Sequence, residues 1–175
     1  PLLTKNFPTL ELIEGDALEF SPPKKYKLVA NIPYYITSPL INHFLKDTTN
    51  KPDILVLMVQ KEVADKATAK PGDLNVLALN IQTFGEVIKV CKVPAGNFNP
   101  KPKVDSAIIK ITPYAKPLVD EKLLPKYFEL ISTAFTQKRK MIRSTLGEEL
   151  CKKAGLDPTM RPQELTIEDW GKLAV

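Results

Sequence analysis

Two cysteines, one histidine and seven glycines among 175 residues restrict the chemistry this chain can host. Cys91 and Cys151 form neither a ligand pair nor a redox pair, so two reduced thiols, as in a cytosolic protein, are expected. The only histidine, His43, has no cysteine at ligand spacing, and no metal site is expected. No apolar run approaches the length of a membrane span, and the first residues show no secretory pattern, so a cytoplasmic protein away from membranes is the expectation. What remains is ordinary: 43% hydrophobic and 26% charged residues suit one globular core, with room for a small second lobe. The net charge of +5 favours a polyanionic partner, and it is distributed locally. Between 89 and 110, Lys89, Lys92, Lys101, Lys103 and Lys110 are opposed only by Asp105.

The hydrophobic pattern alternates strands and helices in its first two thirds. Leu10 to Ile13 reads as a short strand followed by a turn at Glu14 to Asp16; an acid there either accepts hydrogen bonds from a nucleotide base or merely shapes the turn. Pro22, Pro23, Lys24, Lys25 and Lys27 read as a solvated loop, and Leu28, Val29 and Ala30 as a buried strand. Thr37 or Ser38 is expected to cap a helix beginning at Pro39, with Leu40, Ile41, Phe44 and Leu45 on its apolar stripe and His43 off it. Asp53 to Val59 is the most continuous apolar run and reads as a strand buried on both faces of a parallel sheet. Helices are expected over Glu62 to Ala69 and Leu74 to Phe84, the Val and Ile content of the second also allowing a strand, and paired strands near Val87 to Val93 and Asp105 to Ile111. After a linker at Pro113 to Pro117 the pattern becomes helical, with segments over Leu123 to Phe135, Lys138 to Cys151 and Ile167 to Leu173. The boundaries follow: 1–113 as an α/β domain and 114–175 as a small helical one.

One stretch concentrates polar and aromatic groups at the end of a strand: Asn31-Ile32-Pro33-Tyr34-Tyr35. Asn31 can accept from an amine and donate to a ring nitrogen, the Pro33 carbonyl offers a second acceptor, and Tyr34 can stack on a planar base. That set suits an adenine amino group, although a turn with buried tyrosines would read the same. Phe98, set among prolines with Lys101 and Lys103, either anchors its loop on the core or stacks on a flipped base. Lys138, Arg139, Lys140 and Arg143 form a basic cluster that either meets phosphates or is a solvated helix face.

Together these segments resemble the small-subunit ribosomal RNA adenine dimethyltransferases. Asn31-Ile32-Pro33-Tyr34 resembles the family's catalytic tetrapeptide. Gln60-Lys61-Glu62-Val63 is similar to its segment after the next strand. Phe98 to Ala107 resembles its base-stacking loop and the strand that follows, and Phe135 to Leu146 its basic helical segment. The resemblance implies a Rossmann-like class I methyltransferase fold with a C-terminal helical RNA-binding domain. It implies S-adenosylmethionine as methyl donor, and small-subunit rRNA or the assembling small subunit as partner in ribosome biogenesis. It makes Asn31, Pro33 and Tyr34 catalytic and assigns Phe98, Lys101, Lys103, Lys138, Arg139, Lys140 and Arg143 to substrate. Asp16 and Ala17, with Asn31, fall to the cofactor.

Two other readings share these motifs: the large-subunit rRNA methyltransferases that give macrolide resistance, and a noncatalytic RNA-binding or assembly factor. The segments 135–146 and 155–165 favour the small-subunit enzymes. The resemblance also implies a glycine-rich turn and a ribose-binding acid before the strand at Leu10, which isolated Gly15 and Gly72 do not supply. The expectation is therefore a truncated form of the fold, lacking two βα units of roughly 80 residues or more. Such a chain alone should bind S-adenosylmethionine weakly, have negligible activity, and tend to dimerise through an exposed sheet flank.

Overall fold

The computed structural model describes residues 2–20, 22 and 25–175. Pro23 and Lys24 of the expected solvated loop lie outside the described residues. Strands β1 (Lys27–Asn31), β2 (Ile54–Gln60), β3 (Gly85–Val93) and β4 (Ser106–Pro113) form one sheet in the order β1-β2-β4-β3. β1 runs parallel to β2, whereas β4 is antiparallel to both β2 and β3. The expected parallel sheet is thus a mixed one. The short 94–105 connection explains the reversal, because it returns the chain as a hairpin without a helical crossover.

Alternate residues of the central strands supply the core. Leu55, Leu57 and Val59 of β2 stand opposite Ile111, Ile109 and Ala107 of β4, and all six are inaccessible to solvent. The intervening β2 residues are only half-buried, so the strand is sealed on one face rather than two. Leu40, Ile41, Phe44 and Leu45 complete this core from α2 (Thr37–Asn42) and the π-helical turn His43–Asp47. Helix α2 begins two residues before Pro39, after a 3-10 turn at Tyr34–Ile36, and neither Thr37 nor Ser38 caps it. Helices α3 (Lys61–Ala67) and α4 (Val76–Gln82) follow β2, and the Asn75 carboxamide accepts the Ala78 N–H at 3.0 Å as the α4 cap.

Two expected strands need correction. Leu28 and Ala30 of β1 are half-buried and Val29 is 76% exposed, because β1 is the sheet edge and pairs with β2 alone among the described residues. Leu10 to Ile13 is not a strand. After the short α1 (Leu2–Asn6) it runs as irregular chain, with Leu10 and Ile13 about 60% exposed (59% and 61%), because no described strand pairs with it.

The helical part packs on α4. Tyr127, Leu130, Ile131 and Ala134 of α5 (Leu124–Phe135) join Ala78 and Leu79 in a second apolar cluster. Cys151 of α7 (Glu148–Lys153) and Trp170 and Leu173 of α8 (Ile167–Leu173) close it. The helix expected over Lys138 to Cys151 is interrupted. Residues 136–139 form a turn, α6 (Arg143–Leu146) is one turn long, and Gly147 at φ +89° breaks the path before α7. Glycine is the residue that adopts this backbone without strain. Leu124 and Phe128 touch both clusters, and Phe84 stacks on Phe128 with ring centroids 6.0 Å apart.

Candidate functional site

The topology gathers one rim of the sheet. Asn31 at the end of β1 pairs with Met58, and Gln60 at the end of β2 pairs with Ser106, the first residue of β4. Val93, the last residue of β3, also pairs with Ser106, so the 94–105 loop springs from the same edge as Asn31 to Tyr34. Two parallel strands therefore present their carboxyl ends where an antiparallel hairpin presents its turn. This is the usual position for a ligand site in such sheets.

A cavity of ≈ 200 Å³ opens at that rim, lined by Asn31, Ile32, Pro33, Tyr34, Phe98, Pro100 and Pro102. Asn31 and Pro33 are exposed and Tyr34 and Phe98 half-buried, which leaves polar groups and ring faces accessible together. The Pro33 carbonyl accepts the Ile36 N–H at 3.1 Å in the 3-10 turn; a carbonyl has two lone pairs, so one remains for a ligand. The turn with buried tyrosines is not what forms, since Tyr35 is 84% exposed.

The Tyr34 hydroxyl lies 2.7 Å from Ser106 Oγ. The Phe98 loop is closed at its base by Asp105: Oδ1 accepts the Ala95 N–H at 2.9 Å and Oδ2 pairs with Lys92 Nζ at 2.7 Å. The Lys92 ammonium, and then the Ala95 N–H, hold the Asp105 carboxyl below its ordinary range. Sequence reasoning gave neither Asp105 nor Ser106 a role of its own. The only signal was their place where a proline-rich loop re-enters a strand.

A second cavity of ≈ 550 Å³ lies on the other side of Ile32, which borders both. Ile13, Ala17, Leu28, Ala30, Leu40 and Phe44 give it apolar walls, and Glu11, Asp16 and Glu19 give it carboxylates. That size and an apolar lining with few polar groups are typical of small-molecule sites. Asp16 is a turn former, its Oδ1 accepting the Leu18 N–H at 2.8 Å, which leaves Oδ2 to accept from a ligand. Asn31 borders the smaller cavity and not this one.

The lysines and arginines sit apart. Lys101 and Lys103 are exposed on the Phe98 loop but line neither cavity. Lys138 and Arg139 border a groove of ≈ 340 Å³ with Glu62, Asp65, Lys66 and Asp73. Lys140 and Arg143 are exposed outside that groove. Instead of one helix face, the four basic groups span a turn and the start of α6. Among the described residues no three of His, Cys, Asp and Glu group as metal ligands, and no helix is long and apolar enough to cross a membrane.

This arrangement of sheet, rim and helical lobe has close structural counterparts. The chain superposes over 98% of its length, with a TM-score of 0.74 and 27% identity, on the 23S rRNA methyltransferase ErmE, of which it covers 73%. A dimethyladenosine transferase from Plasmodium falciparum matches with the same TM-score and coverage at 31% identity. The fold is thus the Rossmann-like class I methyltransferase fold with a helical C-terminal region. Residues 2–174 match the ribosomal RNA adenine dimethylase family model, and the chain belongs to that family. A Ribosomal RNA small subunit methyltransferase A from Dehalococcoides mccartyi is 38% identical over 98% of this chain. The chain spans 64% of the length of that relative.

Proposed function

We propose that the whole protein transfers methyl groups from S-adenosylmethionine to the exocyclic amines of two adjacent adenosines in small-subunit rRNA. The observation that carries this reading is the single cavity bordered by Asn31, Pro33, Tyr34 and Phe98. The larger cavity beyond Ile32 fits the adenine end of the donor, with Asp16 and Ala17 against the base. When bound, the donor supplies an electrophilic methyl on a sulfonium.

An adenine amine is a poor nucleophile because its lone pair is delocalised into the ring. The Asn31 carboxamide oxygen and the free lone pair of the Pro33 carbonyl accept its two hydrogens and favour a pyramidal nitrogen aimed across Ile32. Tyr34 and Phe98 hold the ring between them. Orientation and fixed dipoles carry the step without a strong general base, and the proton that the amine sheds on gaining the methyl passes to solvent at this open rim.

Residues 114–175, with Lys138 and Arg139 on the groove toward 1–113, form the RNA-binding part, and Lys101 and Lys103 flank the flipped base. We place the protein in the cytoplasm, acting on the small subunit as it assembles. The exposed edge of β1 makes association of this chain through the sheet a further expectation. The relatives named for the small subunit favour that substrate over the large-subunit one. Transfer of labelled methyl groups by the whole protein to unmethylated small subunits, with none to naked large-subunit RNA, is the expected result. The opposite preference would reverse the choice of substrate. RNA binding without transfer to either would leave only the noncatalytic reading.

A further inference from the structure

We propose, resting on the adenine reading of the smaller cavity, that the consecutive residues Asp105 and Ser106 are positioning residues that fix the gap between its two aromatic walls. Ser106 is fully buried and held in register between Gln60 and Val93, so its hydroxyl is a fixed point. The Tyr34 hydroxyl meets it at 2.7 Å, and among the described residues neither hydroxyl has another partner. Cβ and the phenolic oxygen of a tyrosine lie on one axis, so tethering the oxygen fixes the direction of that axis. Tyr34 needs such a tether, since its backbone belongs to a 3-10 turn that starts after an exposed proline.

The other wall is held from the neighbouring residue. Asp105 accepts the Ala95 N–H through Oδ1 (2.9 Å), and the Ala95 carbonyl in turn accepts the Phe98 N–H (3.3 Å). A continuous path of hydrogen bonds therefore runs from Asp105 to the backbone of Phe98. The Asp105 carbonyl accepts the Lys61 N–H at 2.9 Å, which ties the same point to the start of α3. Two adjacent residues, one just before β4 and one at its head, thus hold the Tyr34 ring by its hydroxyl and the Phe98 ring by its backbone.

The test uses the whole protein and an RNA oligonucleotide carrying 2-aminopurine at the target position, whose fluorescence falls when it is stacked. Ser106→Ala and Tyr34→Phe delete the same hydrogen bond from opposite ends, one buried and one partly exposed. Each should weaken the quenching titration about three- to tenfold, as one lost hydrogen bond implies. The double variant should lose no more than either single one. Asp105→Ala should weaken it similarly, and Asp105→Asn less, because its amide oxygen still accepts from Ala95. If Tyr34→Ala and Phe98→Ala abolish quenching while Ser106→Ala, Tyr34→Phe and Asp105→Ala titrate as wild type, the positioning role is wrong and the adenine reading stands. Additive losses in the double variant would equally overturn it. If Tyr34→Ala and Phe98→Ala leave quenching unchanged, the adenine reading fails and the positioning role with it.

Discussion

The Tyr127 hydroxyl on α5 lies 2.8 Å from Thr83 Oγ1 at the end of α4, in the apolar cluster that joins the helical lobe to the sheet domain. Thr83 Oγ1 also bonds the Leu79 carbonyl at 2.6 Å. A carbonyl cannot donate, so the Thr83 proton goes to Leu79 and Tyr127 must donate to Thr83. The pair is therefore asymmetric. Tyr127→Phe leaves Thr83 satisfied and should cost about 0.5–1.5 kcal/mol, whereas Thr83→Val strands a buried phenol and should cost about 1–3 kcal/mol. Urea unfolding of both variants checks the order. Burial pushes the Tyr127 phenol up to about 12, with the Thr83 bond opposing this. The unfolded phenol ionises first, so stability falls as pH rises from about 10 to 12, and Tyr127→Phe should remove that component.

Asp65 of α3 bridges Lys61, one turn earlier at 2.6 Å, and Lys89 of β3 at 2.5 Å. The hydrogen bond from Lys61, then that from Lys89, holds its carboxyl at about 2 against an ordinary 3.8. A depressed carboxylate contributes stability that is complete above its unfolded value and lost as pH falls through its folded one. The difference in melting temperature between wild type and Asp65→Asn should hold from pH 7 to pH 4 and close between about pH 4 and pH 2. All three groups are solvent-exposed, so added salt should shrink the difference as well.

Which parts of this molecule could be read from its sequence follows from how local each signal is. The Leu40, Ile41, Phe44 and Leu45 stripe is a local period, and all four residues are buried as expected. The hairpin of β3 and β4 was legible from the proline-rich turn between its strands. Leu10 to Ile13 has strand composition, but a strand needs a neighbour, and nothing in the residues themselves says whether one is present. The Lys138 to Cys151 segment has helical composition, but it turns out of helix after Phe135 and breaks again at Gly147, where the backbone takes a positive φ. Asn31, Tyr34 and Phe98 could be named from residue type and resemblance. The Tyr34 to Ser106 bond could not, because it spans 72 residues and depends on strand register.

As proposed phosphate contacts, the basic residues are not equivalent. The acids near Lys138 and Arg139 are largely occupied, Asp65 by Lys61 and Lys89 and Glu62 by Lys66 at 2.6 Å. Arg143 instead lies outside that groove, at the start of α6. Lys138→Ala and Arg139→Ala should each flatten the dependence of log RNA affinity on log salt by about 0.7 to 0.9, and Arg143→Ala by less. Affinities for a small-subunit rRNA fragment across a salt series decide this, and equal slopes for all four proteins would remove the cluster from the RNA interface.

Asn31 ends the exposed edge strand, and among the described residues its carboxamide makes no hydrogen bond within the protein. Replacing it should therefore be structurally quiet: Asn31→Ala is expected to shift unfolding stability by no more than about 0.5 kcal/mol. It should leave RNA affinity within twofold, about 0.4 kcal/mol, because phosphate contacts dominate that affinity. Transfer is another matter. If Asn31 accepts from the reacting amine as proposed, its loss removes a fixed dipole from the reacting centre, a change that typically lowers kcat about 100- to 1,000-fold. Asn31→Asp keeps an acceptor oxygen but loses the donor to the ring, so it should fall between wild type and Asn31→Ala. Single-turnover transfer with the whole protein separates the chemical step from binding. A parallel loss of RNA affinity and rate in Asn31→Ala would show that the residue serves binding rather than the methylation step.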